Sequence, residues 1–203
     1  MVIGCVESAC EFHLDPSEAF VAAARERLPG VSVERAAAEG LPFADEVFEA
    51  ALAQLVVHFM ADPVAGLHEM RRVTKPSGVV AACVWDHAGG RGPLGVFWEA
   101  ARVLDVDVDD ESSRAGTRRG QLAELFEAAG LGDVEEGAVS VEVEHGSFEE
   151  WWEPFTLGVG PAGAFVTQLG AAERCQLREL CRERLPHAPF VVSARAWAAR
   201  GLS

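Results

Sequence analysis

Two aspartate–proline pairs set the framework of this chain. Asp15-Pro16-Ser17-Glu18 reads as a helix start, with Asp15 as N-cap, Pro16 at the first helical position and an acid behind it. Phe20, Ala23 and Ala24 then share one face before Leu28-Pro29-Gly30 stops the helix. Asp62-Pro63 repeats the signal and opens a helix through Leu67, Met70 and Val73 that ends at Lys75-Pro76-Ser77-Gly78. Short apolar runs stand between and after these helices, at Val31 to Val33, Phe48 to Gln54 and Val79 to Trp85. Strands alternating with helices predict parallel pairing with right-handed crossovers in a layered α/β sheet.

The second half predicts helices at Leu94 to Leu104, Gln121 to Ala129, Phe148 to Phe155 and Ala171 to Leu185, the third capped by Ser147 with Glu150. An alternating strand at Val134 to Val143 and a last strand at Phe190 to Trp197 suit an antiparallel pair at a sheet edge. At 203 residues the chain is expected to form one domain, 1–203, with a core at 14–89 and the remaining helices and edge strands at 90–203.

Acidic residues outnumber Lys and Arg by 32 to 17, a net charge of −15. Such a surface repels phosphate backbones and anionic lipid, so neither a nucleic acid nor a membrane is expected as a partner. The longest apolar stretch, Ala50 to Ala61, is too short to span a bilayer, and the opening MVIGCVESAC does not read as a signal peptide. A cytoplasmic location is expected. The five cysteines form no metal-like pair, so no metal site is expected.

The stretch ERAAAEGLPFADEVFEAALAQLVVHFMADPVAGLHEMRRVTKPSGVVAACVWD, taken with the LDPS turn before it, carries several ordered tokens: A-E-x-LPF, F-E-x-A and H-E-M-R-R-V-x-K-P-x-G before an apolar strand. In this it resembles the class I S-adenosylmethionine-dependent methyltransferases, specifically the methyltransferase type 11-like group, from Leu14 onward and more loosely after Gly89. The resemblance implies a Rossmann-like sheet, S-adenosylmethionine as cofactor and a small-molecule acceptor of the methyl group.

Carried over residue by residue, the resemblance makes Asp15 the acid for the ribose hydroxyls, although the same carboxylate suits a helix cap. It sets Ala38 and Glu39 in the adenine loop, with Ala37 where many members have aspartate, and Gln54 and Leu55 beside the methionine part. His58, Asp86 and His87 are the candidate bases, each with a structural reading beside the chemical one.

Two features strain this picture. Gly90-x-Gly92-x-x-Gly95 matches a dinucleotide fingerprint but stands several residues beyond the strand, which leaves an oxidoreductase as a remote alternative. The family's first strand, glycine-rich turn and first helix should precede Leu14, where only thirteen residues stand. A parallel return needs a connection of about a dozen residues or more, so Val2 to Val6 cannot pair parallel with Cys10 to Leu14. The sheet is therefore expected to be N-terminally truncated, with Val2 to Val6 turning back antiparallel or bridging the gap. Methyl transfer would then be impaired, and the alternative is a non-catalytic remnant acting as an interaction protein. An open sheet edge would favour a homodimer.

Overall fold

The computed structural model describes residues 2–5, 10–105 and 107–203. In chain order the elements are β1 (Val2–Cys5), β2 (Cys10–Asp15), α1 (Glu18–Arg27), β3 (Ser32–Arg35), β4 (Phe48–Gln54), α2 (Pro63–Val73), β5 (Thr74–Trp85), α3 (Gly95–Leu104), α4 (Gln121–Ala128), β6 (Gly132–His145), α5 (Phe148–Trp152), α6 (Gly160–Gln168), α7 (Ala171–Arg184) and β7 (Phe190–Leu202). They gather into two compact units. One holds Met1–Val84, Arg114–Ala138 and Trp197–Ser203; the other holds Trp85–Ser113 and Val139–Ala196. Residues 114–138 and 197–203, which stand beyond Gly89 in the chain, belong with the first unit.

The strands follow the sheet order β3-β2-β1-β4-β5-β7-β6. β2 pairs parallel with β3, and β4 with β5, as the strand–helix alternation predicts. β1 fills the place between β2 and β4 and runs antiparallel to both, Val2 standing opposite His13 on one side and Leu52 on the other. Of the two arrangements left open for Val2 to Val6, Val2–Cys5 combine both, running antiparallel to β2 and standing between it and β4, while Val6 lies outside the described residues. At the other end, the Ser77 amide bonds the Ser203 carbonyl and the Ser203 amide bonds the Gly78 carbonyl, so β7 runs antiparallel to β5. The late strands thus form the expected antiparallel edge, and β2 to β6 point one way while β1 and β7 point the other.

Helix α2 shows why the core forms. Leu67, Met70 and Val73 recur at helical spacing and are fully buried against Phe48, Ala51, Val80 and Val84, with Leu122 and Phe126 of α4 in the same cluster. Each such side chain contributes about 1.5–3 kcal/mol through burial. The opposite pleat of β4 is open, with Leu52 43% exposed and Gln54 exposed.

Three local expectations need correction. The N-cap of α1 is Ser17, whose hydroxyl accepts the Phe20 amide, while Asp15 Oδ1 accepts the Ser17 amide at 2.8 Å; Pro16 therefore precedes the helix. Lys75-Pro76-Ser77-Gly78 does not end a helix but lies within β5. Strand pairing starts at Phe48↔Thr74 and resumes at Ala50↔Val79, so these four residues bulge out, with Ser77 at φ 65°. Finally, α6 is an additional helix.

The second unit packs α3, α5, α6 and α7 around an aromatic cluster of Phe97, Trp98, Phe148, Trp151, Trp152 and Phe155. Trp151 and Trp152 are core residues, 5% and 6% exposed. Arg178 and Arg182 both reach Glu149, and Arg182 lies 4.1 Å from the centroid of the Phe148 ring. Among the described residues no helix is long and apolar enough to cross a membrane.

Candidate cofactor site

The carboxyl ends of β2, β3 and β4 carry six of the eight candidate residues, all in the first unit. In open α/β sheets ligands bind at such strand ends, where the following loops turn away and leave a crevice. Asp15 ends β2, opposite Arg35 in the parallel pairing with β3, and its carbonyl accepts the Ala36 amide at 3.2 Å. Its side chain is half-buried, and among the described residues its carboxylate is engaged through Oδ1, by the Ser17 amide.

The loop after β3 is held at both ends. Glu39 Oε1 accepts the amides of Ala61 and Asp62, at 2.8 and 3.2 Å, which ties the loop to the residues leading into α2. Glu39 therefore spends its charge on backbone. Ala38 packs where α2 comes closest: a Cβ on Gly66 would stand 3.3 Å from the Ala38 Cβ. Further along, Glu69 accepts the Leu41 amide while Arg72 binds Glu69, Asp45 and the carbonyls of Leu41 and Phe43. The hydrogen bond from Arg72 holds the Glu69 carboxyl below the usual carboxylate range, against the opposing effect of burial. Glu69 and Asp45 in turn raise the Arg72 guanidinium. Phe43 closes the loop onto Phe12 and Phe48.

Gln54 ends β4 exposed, and Leu55 follows with φ 57° while its amide bonds the Cys83 carbonyl at 2.9 Å. A left-handed leucine costs about 1–2 kcal/mol, so the chain turns away from the sheet here under strain. Just beyond, a 3₁₀ turn at Val57–Phe59 buries His58, whose ring lies 3.9 Å from that of Phe59; the Arg114 guanidinium covers Phe59.

Asp86 and His87 belong to the second unit. Asp86 is 1% exposed, and its carboxylate accepts from the Arg195 guanidinium and from the Gly89 amide. Sequence reasoning missed Arg195, which lies far along the chain with no local signal pointing to it. His87 is buried beside the glycine turn, where a Cβ on Gly92 would stand 3.1 Å from Nδ1. That turn encloses only about 30 Å³, room for one or two waters, and Gly95 is required because a Cβ would meet the Gly90 carbonyl at 2.7 Å. These glycines close a turn.

At this strand end Asp15 presents a half-buried carboxylate, and Val2–Cys5 lie antiparallel beside β2.

Residues 7–82 match the methyltransferase type 11 family, described as a methyltransferase domain. The sheet that carries this segment has the Rossmann-like methyltransferase fold. Among curated proteins it is similar to the demethylmenaquinone methyltransferase of Mycobacterium sp. (strain KMS), 34% identical over 134 residues, which cover 59% of this chain and 57% of that protein. The match thus spans little more than half of the relative's length. Among solved structures, the YcgJ protein of Bacillus subtilis aligns over 95% of this chain and 81% of its own, with a TM-score of 0.56 at 16% identity. A SAM-dependent methyltransferase of Thermotoga maritima covers 94% of this chain and 72% of its own, with a TM-score of 0.53 at 19% identity. At these identities the structures speak for the fold alone.

Proposed function

We propose that this chain binds S-adenosylmethionine through Asp15 and directs methyl transfer to a small-molecule nucleophile. The observation that carries this reading is the half-buried Asp15 carboxylate at the carboxyl end of β2. A ribose hydroxyl donating to that carboxylate makes a charge-assisted bond, stronger than a neutral one. Ala38, Leu41 and the strained Leu55 shape the neighbouring strand ends. When bound, the cofactor supplies an electrophilic methyl group on a sulfonium sulfur. His58 is the residue proposed to take a proton from the acceptor, while in the second unit the Asp86 carboxylate, held by Arg195, orients its own turn. The name of the mycobacterial relative makes demethylmenaquinone the first compound to assay.

A second reading has its own observation. The antiparallel β1 supplies no glycine turn toward the methionine end, which favours a methyltransferase relative that binds weakly or serves as an interaction protein. Isothermal titration of the folded chain with S-adenosylhomocysteine separates the two. Micromolar binding that Asp15→Ala weakens supports the first reading; no heat from a folded sample removes it.

A further inference from the structure

β6 is the last strand in the sheet order, so its outer edge has no strand neighbour among the described residues. Residues 137–144 are exposed throughout, which is unusual for a run in which apolar residues alternate so regularly. Val139, Val141 and Val143 are 52%, 43% and 50% exposed. They share a pleat with His145, whose ring lies 5.5 Å from that of Phe190, so this apolar stripe extends outward from the packed face of β7. Ser140, Glu142 and Glu144 take the other pleat, where Glu142 accepts the Ser193 hydroxyl. A long edge with one apolar pleat is a ready template for another strand.

We infer that β6 pairs antiparallel with β6 of a second copy of this chain, about a two-fold axis through Val141. The argument for a second copy is the charge pattern. With Val141 opposite Val141, Val139 faces Val143 and Ser140 faces Glu142, so the apolar pleat is valine throughout and no acid faces an acid. Moving the axis one residue, to Glu142, sets Glu142 against Glu142. Moving it half as far puts valines opposite glutamates on one face. Directly opposed like charges destabilise a strand pair, whereas β-branched pairs stabilise it, so the pattern selects one register. The net charge of −15 on each copy opposes the approach, so association strengthens with salt as that repulsion is screened.

The register makes the test specific. Sedimentation of the full chain at moderate salt is expected to give a particle of twice the 21.7 kDa chain mass. Val141→Asp, on an exposed position, is expected to leave the circular dichroism spectrum unchanged and to return the mass to a single chain. In a Cys175→Ser background, Val141→Cys is expected to cross-link into a disulfide dimer on mild oxidation, since opposed Cα atoms in an antiparallel pair stand about 4.5–5.5 Å apart, within disulfide reach. Val143→Cys, facing Val139, is expected to cross-link much more slowly. A chain that stays single at high concentration and salt overturns the proposal. So does a dimer that survives Val141→Asp, or equal cross-linking at positions 141 and 143.

Discussion

Asp86 and Arg195 hold each other twice. The Asp86 amide donates to the Arg195 carbonyl at 2.9 Å, and the Arg195 Nε donates to Asp86 Oδ2 at 3.0 Å. The Arg195 amide in turn donates to the Arg91 carbonyl, and the Arg91 amide to the Asp86 carbonyl, so backbone and side chains close one knot at the end of β5. Removing one member of a buried charge pair costs about 3–5 kcal/mol, because the other charge stays buried without it. Asp86→Ala and Arg195→Ala are each expected to lower the melting temperature steeply, and the double variant to lose less than their sum. An Asp86→Asn variant with unchanged stability and abolished methyl transfer would contradict this structural role.

Asp15 and Ser17 share one turn but are expected to separate in function. Asp15→Ala removes the carboxylate proposed for ribose and is expected to weaken S-adenosylhomocysteine by about 10–100-fold, the range of a hydrogen bond to a charged group. Ser17→Ala removes the cap of α1 and is expected to cost about 1 kcal/mol of stability with affinity unchanged. Titration calorimetry and thermal melts on the two variants check the division.

The Glu69–Arg72 pair carries a pH signature. The folded-state value of Glu69 lies below its ordinary value of 4.5, chiefly through the Arg72 hydrogen bond. Its contribution is therefore fully present above pH 4.5 and is lost as pH falls through the lower, folded-state value. Glu69→Gln is expected to destabilise the chain by about 2 kcal/mol near neutral pH and much less in acid, since the wild-type advantage disappears there. Denaturant melts at pH 7 and pH 3 check it.

Burial pushes the Cys181 thiol up to about 12, with Arg184 pulling weakly the other way, whereas Cys175 is exposed on the same helix. The thiolate is the reactive form, so a maleimide at pH 8 is expected to label Cys175 rapidly in the folded chain and Cys181 only after unfolding. Peptide mass mapping distinguishes them.

Much of this was legible where the signal is local. The Asp62 and Ser147 caps and the α2 stripe of Leu67, Met70 and Val73 depend on neighbours a turn away, and they stand as read. Asp15 stands at a strand end, as its sequence predicts, but Pro16 mimics a first helical position and the cap is Ser17, one step further in. Lys75–Gly78 has the composition of a helix terminator, since Pro76 and Gly78 break a helix as readily as they bulge a strand. Only the pairing of Thr74 with Phe48 decides which. Helix α6, beginning Gly160-Pro161-Ala162-Gly163, has the composition of a turn and is held by burying Ala162 and Val166. Arg195 and Asp86 meet through tertiary structure alone.

The Glu39 anchor has a consequence for binding kinetics. With its carboxylate on the Ala61 and Asp62 amides, and Arg72 on the Leu41 and Phe43 carbonyls, the loop beside Asp15 is already ordered before any ligand arrives. The entropy of fixing it is lost on folding instead of on encounter. A nucleoside meeting this edge therefore has little backbone to rearrange, so association should proceed in a single fast phase, with affinity differences among analogues carried by their rates of departure.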